Sequence, residues 1–104
     1  MGIGPVKAVA DALPRAGLTI GQIEVIEANE AFAAQACAVA AALGFRPDRV
    51  NSNGSGIAVG HPIGATGAIL TVELLYELER IGGRYGPVTL CIGGGATVML
   101  MRER

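Results

Sequence analysis

At 104 residues the chain is one small domain at most. It is 51% hydrophobic and 16% charged, with 16 glycines, few aromatic residues and a mean hydropathy of +0.48. That composition predicts close backbone packing and some apolar surface covered by another domain or subunit. A net charge of −1 without a basic cluster argues against nucleic acid. The absence of a signal peptide or a run of about 20 apolar residues argues against a membrane, and two lone cysteines, Cys37 and Cys91, do not make a disulfide scaffold. A reducing, cytoplasmic setting is the expectation.

In chain order, Gly4-Pro5 opens a helix expected over 5–16, with Val6, Val9, Ala10 and Leu13 at helical spacing. Pro14 is expected to end or kink it near Leu13. Ile23-Glu24-Val25-Ile26-Glu27-Ala28 reads as a strand over 23–28 with both glutamates on a solvated face. Asn29 reads as the N-cap of an alanine-rich helix over 30–43, with Glu30 in its first turn and Cys37 buried inside it. Gly44 stops that helix. Val50-Asn51 leads as a short extended piece into a glycine-rich stretch.

That stretch holds five glycines between Asn53 and Gly67, and the only histidine, His61, between Gly60 and Pro62. So many glycines favour a tight path rather than a regular element, since glycine loses the most backbone freedom on ordering. His61 therefore stands at a loop-to-helix junction, where either a structural hydrogen-bonder or a catalytic imidazole fits. The longest helix is expected over 65–81, buried in its first half and wetted in its second by Glu73, Glu77, Glu79 and Arg80, before Gly82-Gly83. Strands follow over 87–92 and 96–102, pairing as a hairpin around Gly93-Gly94-Gly95. Cys91 is then either a buried cysteine before a flexible turn or a thiol beside backbone N–H groups, the layout of an oxyanion site.

Asn29-Glu30-Ala31-Phe32, Gly60-His61-Pro62 and Cys91-Ile92-Gly93, in this order and at these separations, resemble three signature motifs of the thiolases. The resemblance spans essentially the whole chain and points to the C-terminal part of an acetyl-CoA acetyltransferase or 3-ketoacyl-CoA thiolase. It implies an α/β fold: the C-terminal part of a layered α/β/α arrangement, with an incomplete mixed sheet and three helices, in one partial domain over 1–104. It also implies Claisen chemistry on acyl-CoA thioesters in fatty acid metabolism, with coenzyme A thioester as substrate and neither a cofactor nor a metal. In the family a cysteine of the N-terminal half takes the acyl group. His61 matches the base that activates that cysteine and a hydrogen-bonding partner of the second thioester oxygen. Asn29 matches the residue that fixes a water in the same oxyanion hole. Cys91 matches the thiol that moves the α-proton, the Gly93 N–H matches the donor to the acyl-enzyme oxyanion, and Phe32 lines the acyl or pantetheine channel.

Neither cysteine stands where the family nucleophile stands, and the segment that binds most of the CoA is absent. The N-terminal half is absent too, as are two strands expected between the 23–28 strand and the hairpin. The chain therefore reads as a fragment or truncated product. Its expected partners are acyl-CoA or CoA and either the missing half or a second copy, with neither nucleic acid nor membrane involved. The alternative is a non-catalytic remnant acting as an association domain. A phosphate-binding module on the glycine stretch lacks the lysine of a P-loop. Lys7, Pro14 and Thr97 depart from the family pattern, and a bulky Thr97 near the reacting thiol is expected to disturb the local backbone.

Overall fold

The computed structural model describes residues 1–101. Helix α1 spans Gly4–Arg15 and opens on Pro5, whose missing N–H costs nothing in a first turn. Pro14 does not stop it at Leu13. The proline sits in the last turn, where it forfeits one hydrogen bond, and Ala16 and Gly17 close the end on the carbonyls of Ala12, Leu13 and Pro14. Lys7 is exposed and pairs with Asp11 one turn on at 2.6 Å, a contact worth a few tenths of a kcal/mol at most.

Three strands form one sheet in the order β1-β2-β3: Glu27–Ala28, Tyr85–Leu90 and Ala96–Met101. β1 runs parallel to β2 with Glu27 opposite Val88, and β2–β3 is the expected antiparallel hairpin, with Thr89 opposite Thr97. The direct β1–β2 pairing corrects the expectation of strands missing between them. The last residue of the expected 96–102 strand lies outside the described residues. Residues 23–26 yield only partial pairing, through Glu24 N–H to the Tyr85 carbonyl and a parallel bridge between Ile26 and Val50. Tyr85 and Thr89 both turn their carbonyls to this segment. Pro87 between them faces it with a nitrogen that donates nothing, which confines the regular ladder to two residues.

Helices cover both faces of the sheet, the layered α/β/α arrangement expected. On one side α1 and α2 (Ala33–Leu43) enclose Val9, Ile23, Ile26, Val39 and Phe45. On the other, α4 (Thr66–Ile81) lays Leu70, Leu74 and Leu78 on Val25 and Val88. α2 begins at Ala33, not at residue 30, with Phe32 as its N-cap. Its alanines give no amphipathic signal, and only Val39 is buried. Cys37 faces outward and is exposed, contrary to expectation. The first half of α4 is likewise not buried all round, because Ala68 and Val72 are exposed. A fourth helix, α3 (Gly56–Val59), stands inside the glycine-rich stretch, and single 3-10 turns occupy Ile20–Gln22 and Pro47–Arg49.

The glutamates correct the sequence reading most. Glu24 accepts hydrogen bonds from the backbone N–H groups of Arg84 and Tyr85. Glu27 shares the α4 face of the sheet with Val25 and is completely buried, with neither carboxylate oxygen meeting a donor. Burial first, and then the nearby Glu73, Glu77 and Glu30, push its pKa up to about 8. Glu77, expected on a wet face, is buried and held ionised by Arg80 at 2.6 Å and by Asn53.

A backbone contact ties the two ends of the described chain together. At Gly4 a Cβ would lie 2.6 Å from the Gly95 nitrogen, and at Gly95 (φ +91°) a Cβ would overlap the Gly4 carbonyl. Gly95→Ala should therefore lower stability by roughly 2 kcal/mol or more in chemical denaturation. Gly94→Ala, with open space around it, should cost far less. Equal effects would contradict the contact. For Glu27 the native pKa lies above the unfolded value of 4.5, so its protonated form stabilises the fold below pH 4.5, and that contribution is lost as pH rises through about 8. Glu27→Gln should flatten the fall in stability between pH 5 and 8 and raise the midpoint at pH 8. An unchanged pH profile would show that Glu27 ionises freely.

Candidate active site

The site is assembled where the exit of β1, the glycine-rich loop and the β2–β3 turn meet. Asn29 does not cap α2. It continues β1 by one more pairing bond, from its N–H to the Thr89 carbonyl, and its side chain, 3% exposed, turns to the α4 side. There its Nδ2 lies 3.3 Å from His61 Nε2.

His61 follows α3 through Gly60, whose φ of +92° turns the chain, and precedes α4. Its Nδ1 lies 2.7 Å from Thr66 Oγ1, and that hydroxyl donates to the Pro62 carbonyl at 3.0 Å. The network assigns the tautomer. With the Thr66 proton committed to Pro62, Nδ1 carries the hydrogen given to Thr66, and Nε2 keeps a lone pair that accepts from Asn29. Thr66 is fully buried in the first turn of α4, so the ring is fixed from behind while the residue as a whole stays exposed.

Cys91 follows the last residue of β2 and is half-buried. Asn29, His61 and Cys91 line one cavity of about 470 Å³, with Phe32, Ile63 and Ile92 among its apolar walls. The structure thus brings together four of the five residues singled out from sequence. Gly93 (φ +49°) lies in the turn just beyond Ile92 and is not part of the lining. Thr97 does not crowd the thiol. It is not part of the cavity lining, and its hydroxyl pairs with that of buried Thr89 at 2.8 Å.

Three polar residues were not anticipated. Thr66 orients the ring. Asn51 grips Ala28 with its side-chain amide, accepting from the N–H at 2.8 Å and donating to the carbonyl at 2.9 Å. Glu30 accepts from Asn51 Nδ2 and from the Ile57 N–H. Glu30 stands inside the Asn29-Glu30-Ala31-Phe32 motif, whereas Thr66 and Asn51 are single polar side chains with little sequence signal, Asn51 being the only non-glycine among the described residues at positive φ.

What the arrangement can do follows from these atoms. An imidazole whose Nε2 lone pair accepts from an amide N–H, and a thiol lining the same apolar cavity, form a set for proton transfer next to a polarised carbonyl. Among the described residues no group of histidine, cysteine and carboxylate side chains is placed to hold a metal.

Comparison with known proteins agrees on one family. The family model for the thiolase C-terminal domain matches residues 1–104. The chain is 64% identical over 104 residues to the beta-ketothiolase BktB of Cupriavidus necator and 46% identical to the cytosolic acetyl-CoA acetyltransferase of Rattus norvegicus, covering all of this chain and 26% of each relative. The human mitochondrial 3-ketoacyl-CoA thiolase superposes with a TM-score of 0.94 at 43% identity, over 98% of this chain and 26% of that one. The Bacillus anthracis acetyl-CoA acetyltransferase gives 0.88 at 46%, over 95% and 25%. The chain thus spans about a quarter of the length of these relatives. With the three motifs converging on one cavity, it belongs to the thiolase family, as its C-terminal domain.

Proposed function

We propose that this domain is the proton-transfer and oxyanion-binding part of an acyl-CoA thiolase, acting with a second half that carries the nucleophilic cysteine. The observation that supports this best is the 3.3 Å contact between Asn29 Nδ2 and the lone-pair nitrogen of His61, facing Cys91 across the cavity. In the condensing direction the cysteine of the other half attacks an acyl-CoA thioester. Its proton goes to His61 Nε2, and CoA leaves as a thiol on taking a proton from Cys91. Cys91, now a thiolate, removes the α-proton of a second thioester. The resulting enolate carbon attacks the acyl-cysteine, forming the carbon–carbon bond and expelling the cysteine sulfur, which recovers a proton from His61. Cleavage runs these steps in reverse.

The tautomer gives this scheme its switch. Once Nε2 is protonated, it and Asn29 Nδ2 are two donors that no longer satisfy each other. Both can turn to a single oxygen, directly or through a water, which is what an enolate requires. The Gly93 N–H would serve the acyl-enzyme oxygen in the same way, and Phe32 would wall the pantetheine channel. Coenzyme A is here a substrate, and the scheme calls for neither a cofactor nor a metal. None of the described helices is long and apolar enough to cross a membrane. A cytoplasmic place in fatty acid metabolism, and an assembly that covers the exposed apolar faces of α2 and α4, complete the proposal.

The 104-residue chain alone should show no thiolase turnover, because no acyl group is held beside the incoming thioester. Mixing it with a separately expressed N-terminal half of a related thiolase should restore acetoacetyl-CoA cleavage. His61→Ala should then reduce the restored rate by about 10²–10⁴-fold, and Cys91→Ser should reduce it as well. Robust turnover by the chain alone, or a mixture indifferent to His61→Ala, would sink the assignment.

A further inference from the structure

Two segments distant in sequence must stay in register for Asn29 to reach His61, and one carboxylate spans them. Glu30 Oε2 accepts the Ile57 N–H at 3.1 Å, and Glu30 Oε1 accepts from Asn51 Nδ2 at 3.3 Å. Asn51 in turn holds both backbone groups of Ala28. From Ile57 the chain reaches His61 in four residues, and from Glu30 it reaches Asn29 in one. The path Asn29–Glu30, across to Ile57, along to His61 and back to Asn29 is therefore a closed ring with two non-covalent closures, one of which is the Asn29–His61 contact itself. There is no slack at the crossing. A Cβ on Gly56 would lie 2.9 Å from the Glu30 carbonyl oxygen and 3.1 Å from Asn29 Oδ1.

We propose that Glu30 is a positioning residue, whose carboxylate locks the glycine-rich loop onto the exit of β1 and thereby holds Asn29 against His61 Nε2. Both of its partners are donors, so the position needs two acceptors. Glutamine supplies one acceptor and turns an NH2 against the other donor, while alanine supplies none. The order wild type, Glu30→Gln, Glu30→Ala is thus a graded loosening of one ring. Water could satisfy the Ile57 N–H but could not tie it to the exit of β1, so a general loss of stability is not what sets this residue apart. What sets it apart is the state of an imidazole four residues beyond its partner.

The geometric claim stands without the catalytic reading; its consequence for rate rests on that reading. His61 is the sole histidine, so its ring nitrogens give unambiguous NMR signals in the ¹⁵N-labelled chain. With the ring neutral, the wild type should show the Nδ1–H tautomer in excess. Glu30→Ala should shift the ring toward the tautomer mixture of a free imidazole and move the Asn29 side-chain amide resonances, with Glu30→Gln in between. In the mixture with an N-terminal half, kcat should fall about tenfold or more in Glu30→Ala with KM nearly unchanged. If Glu30→Ala does not fold, the glutamine variant decides. A folded variant that keeps the wild-type tautomer ratio and Asn29 signals overturns the proposal. A wild-type mixture without activity overturns the catalytic reading and leaves the tautomer result to judge Glu30.

Discussion

The site depends on a constraint that is steric before it is chemical: the glycine-rich loop has to run directly against the end of β1. Gly56 permits this, because at that point the loop backbone meets the Glu30 carbonyl with no room for a side chain. Once the two backbones touch, donors and acceptors on each side fall within reach of the other. Asn51 completes the ladder at Ala28, Ser55 adds its hydroxyl to the same carbonyl, and Glu30 takes the N–H at the start of α3. His61 and Asn29 then meet because the chains carrying them are already joined.

The chemistry on one side of the sheet contrasts with the charge buried beneath it. The α4 face carries Leu70, Leu74 and Leu78, yet also a carboxyl with no donor at Glu27 and an ion-paired carboxylate at Glu77. Two negative charges in so dry a place would repel strongly, and the fold resolves this by leaving the proton on the one that lacks a cation. Such a group costs stability near neutral pH. Asn29 is the next residue of that strand on the same face, so strand geometry carries one alternation from apolar core to buried acid to site.

Much of this was legible in the residues, and the parts that were not share a cause. Helices α1 and α4 followed from spacing and from their glycine and proline punctuation, and the hairpin from two apolar runs around three glycines. The motifs led to Asn29, His61, Cys91 and Phe32, which line one cavity. Sequence could not say which side of a uniformly apolar helix faces in, so Cys37 was misplaced. It took charge as a sign of solvent, so Glu27 and Glu77 were misplaced too, although a parallel strand covered on both faces leaves its acids nowhere wet to go. It read Asn29 by its local capping habit, where a contact 32 residues away decides its role. The sheet order was beyond local pattern altogether, because pairing between β1 and β2 is a long-range choice.

The packing of Gly4 against Gly95 has a consequence for how the molecule opens. The start of α1 supports the turn beyond Cys91, and Met1 lies on the wall of the same cavity. These segments are nearly the whole described chain apart in sequence, so the contact closes a long loop and carries an entropic cost that a local contact does not. Loosening either the helix start or the hairpin turn removes the other's packing partner, so order at the thiol site draws on two segments that share no covalent neighbourhood.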